Sequence, residues 1–297
     1  MAVYVNTNAS SLHGRRQLNN VQNQLSTSYQ RLSSGMRINS AKDDAAGLQI
    51  SSRLTSQING LNQGNRNAAD GIALAQTAEG GMNEMTSMLQ KVRTLAVQAA
   101  NGTNTAEDRA ALKKESDALG QEFDRIVTQT RFGGKTIFDG GEAGKGSIYD
   151  GANGSDKTKG VMLLQVGGNK SDTISFTIEK MALSLVVNDK TVFDAAKGFA
   201  LSTADGASKV IAALDKAIAV VDSRRADLGS VQNRLEASIR NQANVSANQA
   251  DARSRIRDAD FAEESANMTQ QNIILQAATS MLMQANSRPQ LALSMLG

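Results

Sequence analysis

The chain has 297 residues, of which 40% are hydrophobic and 3% aromatic, with no Trp, no Cys, one proline and a formal net charge of +3. The hydrophobic content excludes a wholly disordered polymer, and the scarcity of aromatic side chains favours thin helical rods over a thick globular core. The lack of Cys excludes disulfides and thiolate chemistry.

The first predicted element is an amphipathic helix near the N-terminus. Leu18, Val21, Leu25 and Leu32 follow one another at steps of three, four and seven residues, which places them on one face of a helix. No neighbouring segment of the sequence covers this face. Because an isolated helix of this length is marginal in water, we expect another helix or another copy of the chain to cover it.

The next two predicted elements are a long helix over residues 44–100 and a shorter helix after it. At about 1.5 Å per residue, the long helix would measure roughly 85 Å. Asn101 and Gly102 predict a left-handed C-terminal cap, and Thr105 with Asp108 predicts a capping box that opens the shorter helix. The predicted seam of the long helix is Ala78, Met82, Met85, Leu89, Val92, Ala96 and Ala99, and that of the shorter helix is Leu112, Leu119, Phe123 and Ile126.

A glycine-rich stretch from Gly133 to about Gly198 interrupts the helical pattern. Residues 161–166 and 173–178 have β-type composition and flank a turn-rich segment, which predicts one small hairpin. A second long helix starts at Ser202 or Thr203, and we expect a break at about residues 250–256 before the last helix. The seam of that second long helix is predicted at Val210, Leu214, Ile218, Val221, Leu228, Leu235, Val245, Ala252 and Ile256.

The last predicted element is a C-terminal helix with an apolar stripe like that of the first. Its members are Phe261, Met268, Leu275, Ala278, Leu282 and Ala285. We therefore predict a mainly α fold, a long-helix antiparallel coiled-coil or bundle rod with a small β-hairpin region and paired terminal helices. The expected domains are 1–43 with 255–297, and 44–254 with the hairpin insert at about 133–200.

Several long motifs resemble those of bacterial flagellin, the filament subunit. They are 31–51 (RLSSGMRINSAKDDAAGLQIS), 66–81 (RNAADGIALAQTAEGG), 89–103 (LQKVRTLAVQAANGT), 166–181 (VGGNKSDTISFTIEKM), 224–236 (RRADLGSVQNRLE), 255–262 (RIRDADFA) and 284–296 (QANSRPQLALSML). The likeness covers roughly residues 3–139 and 161–297. The interval between the helical halves is too short for the large outer domain of long flagellins, although Ser147, Ser155 or Thr158 could carry sugars.

The resemblance implies a secreted, structural subunit that self-assembles into the extracellular flagellar filament for motility. Terminal helices line the filament core in this family, so the expected self-assembly residues are Leu18, Val21, Leu25, Leu32, Phe261, Met268, Leu275 and Leu282. The expected partners are many copies of the chain, the flagellar export apparatus, the flagellin chaperone, and the hook–filament junction and cap proteins. By the same resemblance, Leu291, Leu293, Met295 and Leu296 form the chaperone-binding tail.

Resemblance also points to a surface recognised by the innate flagellin-sensing toll-like receptor. Lys91, Leu95 and Glu115 match it, and Arg93 lies beside them. The family pattern has Arg where this chain has Lys91, and lysine lacks the planar fork of arginine, so weaker recognition is expected. Inter-subunit packing is the alternative role for Leu95.

The sequence offers no constellation for catalysis, so we expect no enzyme, cofactor or metal. His13 is the only histidine, which rules out a zinc site of the HExxH type. The string GGKT at 133–136 lacks the earlier glycine of a phosphate-binding loop and is interpreted as a turn, while Asp43 and Asp44 are predicted to cap the long helix. The N-terminal arginines lack aromatic partners, so nucleic acid is not an expected ligand.

Membrane insertion is not expected either, because no apolar run approaches the roughly 20 residues that a spanning helix needs. The N-terminus lacks the basic and apolar pattern of a secretory signal, so an exported chain would need another route. Two alternatives to a flagellin remain: a hook–filament junction protein, which shares terminal helices, and a soluble coiled-coil binding protein. The latter should stay dispersed at high concentration.

Overall fold

The computed structural model describes residues 7–139, 148, 159–189, 191–194 and 197–294. Its helices are α1 (Ala9–Ser34), α2 (Ala45–Ala100), α3 (Ala106–Gln129), α4 (Leu183–Val187), α5 (Ala204–Arg257) and α6 (Phe261–Ser294). Its strands are β1 (Arg131–Phe132), β2 (Lys135–Thr136), β3 (Lys159–Gln165), β4 (Thr173–Glu179), β5 (Phe193–Asp194) and β6 (Gly198–Phe199). The mainly α fold class is confirmed.

The helix starts follow from local side-chain capping. Asp44 accepts a hydrogen bond from the Gly47 amide at 2.8 Å and opens α2. The capping box at Thr105 and Asp108 is present in full and opens α3, and the Thr203 hydroxyl accepts from the Gly206 amide near the start of α5. All three starts agree with the sequence prediction, because small polar side chains satisfy the free amides of a first helical turn.

Two predicted helix ends are wrong. Neither Asn101 nor Gly102 is among the described residues with a left-handed backbone. Side chains satisfy the last carbonyl groups of α2 instead. The Gln98 carbonyl accepts from the side-chain Nδ2 of Asn104 at 2.7 Å, and the Ala99 carbonyl accepts from Arg109 Nε at 2.9 Å. The break predicted at 250–256 is also displaced, since α5 continues to Arg257.

The chain divides into two compact units. The terminal unit comprises the described parts of 1–58 and 247–297, and the central unit those of 59–246. The domain boundaries expected from the sequence differ from these limits by 15 residues at the first boundary and eight at the second, and the functional domains remain a prediction. In the part of the chain that the structure describes, no helix has the length and apolar character needed to cross a bilayer.

The terminal unit is built from α1, α6 and the adjoining ends of α2 and α5. The connection after α1 is tied to the connection before α6: the Arg37 amide donates to the Arg257 carbonyl at 2.7 Å, and the Ala259 amide donates to the Gly35 carbonyl at 3.0 Å. Gly35 has a φ of +68°, a conformation that a residue without Cβ adopts readily. These bonds join segments far apart in sequence, and we call them the clasp.

The central unit contains a continuous apolar core along α2, α3 and α5. Every member of the predicted α2 seam is buried, and Phe123, Phe138, Phe176 and Phe199 are among the largest buried side chains. On α5 the predicted seam is buried from Val210 to Leu235 apart from the half-buried Ile218, but Val245 is 36% exposed and Ala252 is exposed. The predicted α5 seam therefore extends too far towards the C-terminus.

Three two-stranded antiparallel sheets complete the central unit. The β3–β4 hairpin pairs Lys159 with Glu179 and Gln165 with Thr173, which confirms the predicted hairpin. Gly133 and Gly134 have positive φ and turn β1 into β2, so the interpretation of GGKT as a turn is also confirmed. The helix α4 and the β5–β6 pair were not predicted from the sequence.

Candidate assembly surface

The α1–α6 pair is held antiparallel by contacts spread over its length. Near one end, Asn8 Nδ2 donates to the Ala285 carbonyl at 2.8 Å. Further along, Gly14 lies against Leu282, so close that a Cβ there would stand 3.1 Å from Leu282 Cδ1. The third contact joins Arg31 Nη1 to Glu264 Oε2 at 3.7 Å. These three contacts therefore fix one register between α1 and α6 over most of the length of α1.

The expected self-assembly residues are only partly covered within one chain. Val21 is 2% exposed, whereas Phe261, at the start of α6, is 59% exposed. The other six lie between these limits: Leu18, Leu25, Leu32, Met268, Leu275 and Leu282. A helix pair this thin buries little apolar area, so the terminal unit gains far less hydrophobic stabilisation than the central unit.

A second apolar side of α6 faces solvent, and the sequence analysis did not single it out. Ile273, Met281 and Met283 are 62%, 68% and 67% exposed. A shallow groove of about 560 Å³ runs along this helix beside Ile273, and its lining residues are Ser265, Ala266, Thr269, Gln270, Ile273 and Ile274. The signal in the sequence is the set Ala262, Ala266, Ile273 and Ala277, spaced by four, seven and four residues opposite the heptad stripe.

A larger groove of about 1070 Å³ lies between α1 and α6. His13 and Gly14 line it from α1, and Ile274, Ala278 and Met281 line it from α6. Its walls combine small and apolar side chains with polar ones, among them Gln17 and Gln284, and the small side chains suit the close approach of another helix. His13 itself is exposed.

Polar groups also lie inside the α1–α6 contact. Ser28 and Glu264 are 6% and 7% exposed. The Glu264 carboxylate has the Arg31 guanidinium as its charged partner. Because a buried carboxylate without a partner is strongly destabilising, this ion pair favours the observed register over a shifted one.

Asp43 and Asp44 have structural roles beside the clasp. The Ser40 amide and hydroxyl and the Asn39 amide donate to Asp43 Oδ2, and these hydrogen bonds lower the pKa of Asp43. Asp44 caps α2. Within the described ranges, no three His, Cys, Asp or Glu residues lie close enough together to hold a metal ion.

The residues that resemble a receptor surface lie in the central unit, on two helices. Lys91 and Leu95 are one turn apart on the same face of α2, and Lys91 lines a groove of about 420 Å³ with Leu119 of α3. Glu115 is exposed on α3. Arg93 differs from the others, since its Nε donates to Asp215 Oδ1 of α5 at 2.6 Å.

Part of the expected chaperone-binding tail lies within α6, namely Leu291 and Leu293. Met295 and Leu296 lie outside the described residues, as do the candidate sugar sites Ser147, Ser155 and Thr158.

Comparison with known protein families gives two matches. Residues 5–143 match the family described as "Bacterial flagellin N-terminal helical region". Residues 211–296 match the family described as "Bacterial flagellin C-terminal helical region". Together the two matches cover well over half of the chain.

Full-length relatives carry flagellin names. Polar flagellin C of Vibrio parahaemolyticus is 36% identical over 387 aligned positions, and Flagellin B of Vibrio cholerae is 37% identical over 381. Each alignment covers 100% of this chain and 100% of the relative. Both alignments are longer than this chain, so each relative has residues without a counterpart here.

Two solved structures are also similar. Bacillus cereus flagellin is 26% identical, with a TM-score of 0.46, over 60% of this chain and 88% of that chain. A provisionally assigned flagellar hook-associated protein from Vibrio parahaemolyticus is 14% identical, with a TM-score of 0.57, over 73% of this chain and 100% of that chain. The second likeness shows a shared fold.

Proposed function

The chain belongs to the bacterial flagellin family and is a structural subunit of the flagellar filament, and from that premise we propose that its terminal unit makes the core contacts between subunits. The supporting observation is the incomplete burial of α1 and α6. Their facing stripe is only partly covered, Ile273 and Met283 of α6 are exposed away from α1, and Met281 is exposed at the edge of the groove between the two helices. Further copies of the chain would cover both surfaces.

The geometry of such contacts explains an open filament. The side of α6 around Ile273 is not the side that meets α1, so a neighbouring copy would be engaged there while the α1–α6 pair stays closed. When this side meets a different surface of the next copy, the contact is heterologous, and a heterologous contact whose rotation does not close a ring produces a helical polymer. Apolar area buried at each step would favour growth once a nucleus has formed.

This proposal assigns the expected self-assembly residues to two roles. Val21 and its half-buried neighbours hold α1 and α6 together, while Phe261 and the exposed side chains of α6 meet other copies. The functional domains proposed from the sequence fit these roles: 1–43 with 255–297 would make the contacts between copies, and 44–254 would form the rod around them.

Deleting either terminal helix tests the proposal. Removal of residues 1–35 or 262–297 should leave the central unit folded, because its apolar core lies within 59–246. Neither variant should form filaments when seeded with fragments of wild-type filament in a precipitating salt, as judged by negative-stain electron microscopy. Circular dichroism of the same samples controls for folding, and normal filaments from either deletion would overturn the proposal.

We propose further that the chain is secreted through the flagellar export apparatus and carried to it by a chaperone that binds Leu291, Leu293, Met295 and Leu296. Leu291 and Leu293 lie within α6 and Met295 and Leu296 follow it in sequence, so a chaperone would cover these apolar residues before assembly and other subunits would cover them after it. The chaperone and the neighbouring subunits would thus bind the same segment one after the other. The hook–filament junction and cap proteins would meet the subunit at the two ends of the filament.

We also propose that Lys91, Leu95 and Glu115 contact the innate toll-like receptor. Restoring the family residue with Lys91→Arg should tighten binding roughly three- to tenfold, because a bidentate charge-assisted pair adds about 1 kcal/mol. Surface plasmon resonance with the receptor ectodomain measures the change. Lys91→Gln is the matched control and should weaken binding; unchanged affinity for both variants would remove Lys91 from the proposed surface.

A further inference from the structure

Asn101 and Gly102 occupy an exposed turn that brings reactive groups together. The Asn104 amide donates to the Asn101 carbonyl at 3.3 Å, which closes a turn over residues 101–104. Inside this turn the Thr103 amide donates to Asn101 Oδ1 at 3.4 Å. Both Asn101 and Gly102 are exposed.

We propose that Asn101 is a site of spontaneous deamidation and isoaspartate formation in the folded protein. The Gly102 nitrogen attacks Asn101 Cγ and forms a new N–C bond. The bond from Cγ to Nδ2 breaks, ammonia leaves with the proton from the Gly102 nitrogen, and a cyclic imide remains. Addition of water to either imide carbonyl gives aspartate or isoaspartate, with no change of oxidation state.

Three features of the turn favour this reaction. Gly102 has no Cβ to obstruct the approach of its nitrogen, and no backbone acceptor for that amide is recorded among the described residues. The Thr103 amide points at Asn101 Oδ1, the atom that gains negative charge when Cγ is attacked. A donor aimed at a developing oxyanion lowers the barrier to addition.

The chain contains its own comparison site. Asn59 and Gly60 have the same side chains but lie inside α2, where each backbone amide is bonded to the carbonyl four residues earlier. Packing adds a second restraint, since a Cβ on Gly60 would stand 2.9 Å from the Gly168 Cα. The nitrogen of Gly60 can reach Cγ of Asn59 only after α2 opens locally. The third Asn–Gly pair, Asn153–Gly154, lies outside the described residues.

The product alters the end of α2. It places a carboxylate where a neutral amide stood, and isoaspartate lengthens the main chain by one carbon. The Arg109 guanidinium already donates to the Asn101 carbonyl at 3.1 Å, so the new charge forms beside a cation. The connection between α2 and α3 therefore gains a negative charge and, in the isoaspartate form, one main-chain carbon. The Arg109 guanidinium remains beside it.

Peptide mapping by mass spectrometry tests the proposal on the purified full chain, incubated at mildly alkaline pH. Labelling by an isoaspartyl methyltransferase identifies the isomer. We expect at least about tenfold more deamidation at Asn101 than at Asn59, since only Asn59 must wait for local helix opening. In denaturant the two sites should react at similar rates.

Gly102→Ala is the blocking variant. No atom lies within 4 Å of a Cβ built at Gly102, and its φ is not in the left-handed region, so the fold should tolerate the change. Deamidation at residue 101 should fall at least about tenfold because the methyl group hinders attack by the backbone nitrogen. Equal reaction at Asn59 and Asn101 in the native protein, or no decrease in Gly102→Ala, would overturn the proposal; circular dichroism verifies folding in both comparisons.

Discussion

At the scale of single residues, the central unit depends on glycines that let the β3–β4 hairpin approach α2. A Cβ on Gly64 would stand 2.0 Å from the Val166 carbonyl oxygen, and a Cβ on Gly71 would stand 2.5 Å from Leu164 Cδ1. Asn67, between them, donates to the Gln165 carbonyl at 2.8 Å. The hairpin backbone thus lies directly against α2 at Gly64, and the Leu164 side chain does so at Gly71.

Gly64→Ala should destabilise the central unit by about 1–3 kcal/mol, because the methyl group meets backbone that cannot rotate away. Gly80→Ala is the matched control in the same helix. Nothing lies within 4 Å of its added Cβ, so it should stabilise by about 0.5–1 kcal/mol through helix propensity. Denaturant unfolding followed by circular dichroism gives both values; a Gly64→Ala variant as stable as Gly80→Ala would contradict the close approach.

The α3 capping box should make stability depend on pH in the acid range. The Thr105 hydroxyl and amide hydrogen bonds lower the pKa of Asp108 below its ordinary value of 3.8. A carboxylate with a lowered folded-state pKa stabilises fully above its unfolded pKa and loses that contribution as the pH falls through the folded value. Asp108→Asn should therefore be less stable than wild type at neutral pH, and the difference should shrink below about pH 4. Thermal unfolding at several pH values checks this; a difference independent of pH would exclude the carboxylate as its cause.

At the scale of elements, α6 presents one side to α1 and another to solvent. Ile273→Asp changes the solvent side only, so the isolated chain should keep its helix content. Filament growth should require at least about tenfold more protein, because a buried Ile contributes about 1.5–3 kcal/mol and a buried charge is unfavourable. The critical concentration for seeded growth is the measurement. Ile273→Leu, which keeps the apolar surface, should grow normally, and normal growth of Ile273→Asp would remove this side of α6 from the subunit contacts.

Long helices were predictable from the sequence, whereas short strands were not. The α2 seam repeats over many turns, so its period outweighs Gly80 and Gly81 in the middle. The β5–β6 pair has only two residues in each strand and is fixed by tertiary contacts, among them the Phe199 amide donating to Asp117 Oδ1 of α3 at 2.8 Å. No periodic pattern can arise over two residues.

The surface was harder to predict than the core for a related reason. A heptad stripe shows which side of α1 or α6 is apolar, but not which partner covers it. The spacing of Ala262, Ala266, Ile273 and Ala277 marks a second side of α6, but three of these four residues are alanine. The exposure of the large side chains of Ile273 and Met281 is therefore learned from the coordinates. The end of α2 could not be predicted for the same reason. The Arg109 guanidinium, and not a glycine cap, satisfies the Ala99 carbonyl, and this contact is visible only in three dimensions.

At the scale of the whole molecule, burial differs sharply between the two units. The large apolar cluster of the central unit lies entirely within it, whereas the paired terminal helices α1 and α6 bury only Val21, Ser28 and Glu264 among their described side chains. Stability therefore resides mainly in the central unit. The terminal unit therefore loses little packing if it rearranges, which suits the proposed contacts with other copies.

The clasp also has a consequence for the order of folding. Beside the clasp, Arg37 Nη2 donates to the Ile256 carbonyl across 219 positions of sequence, and in the α1–α6 pair Asn8 Nδ2 donates to the Ala285 carbonyl across 277. Contacts of such high sequence separation form late, since the intervening chain must be closed into a loop first. Both ends of the chain must therefore be present before the terminal unit can close, whereas the central unit, whose apolar core lies within residues 59–246, can fold before those contacts form.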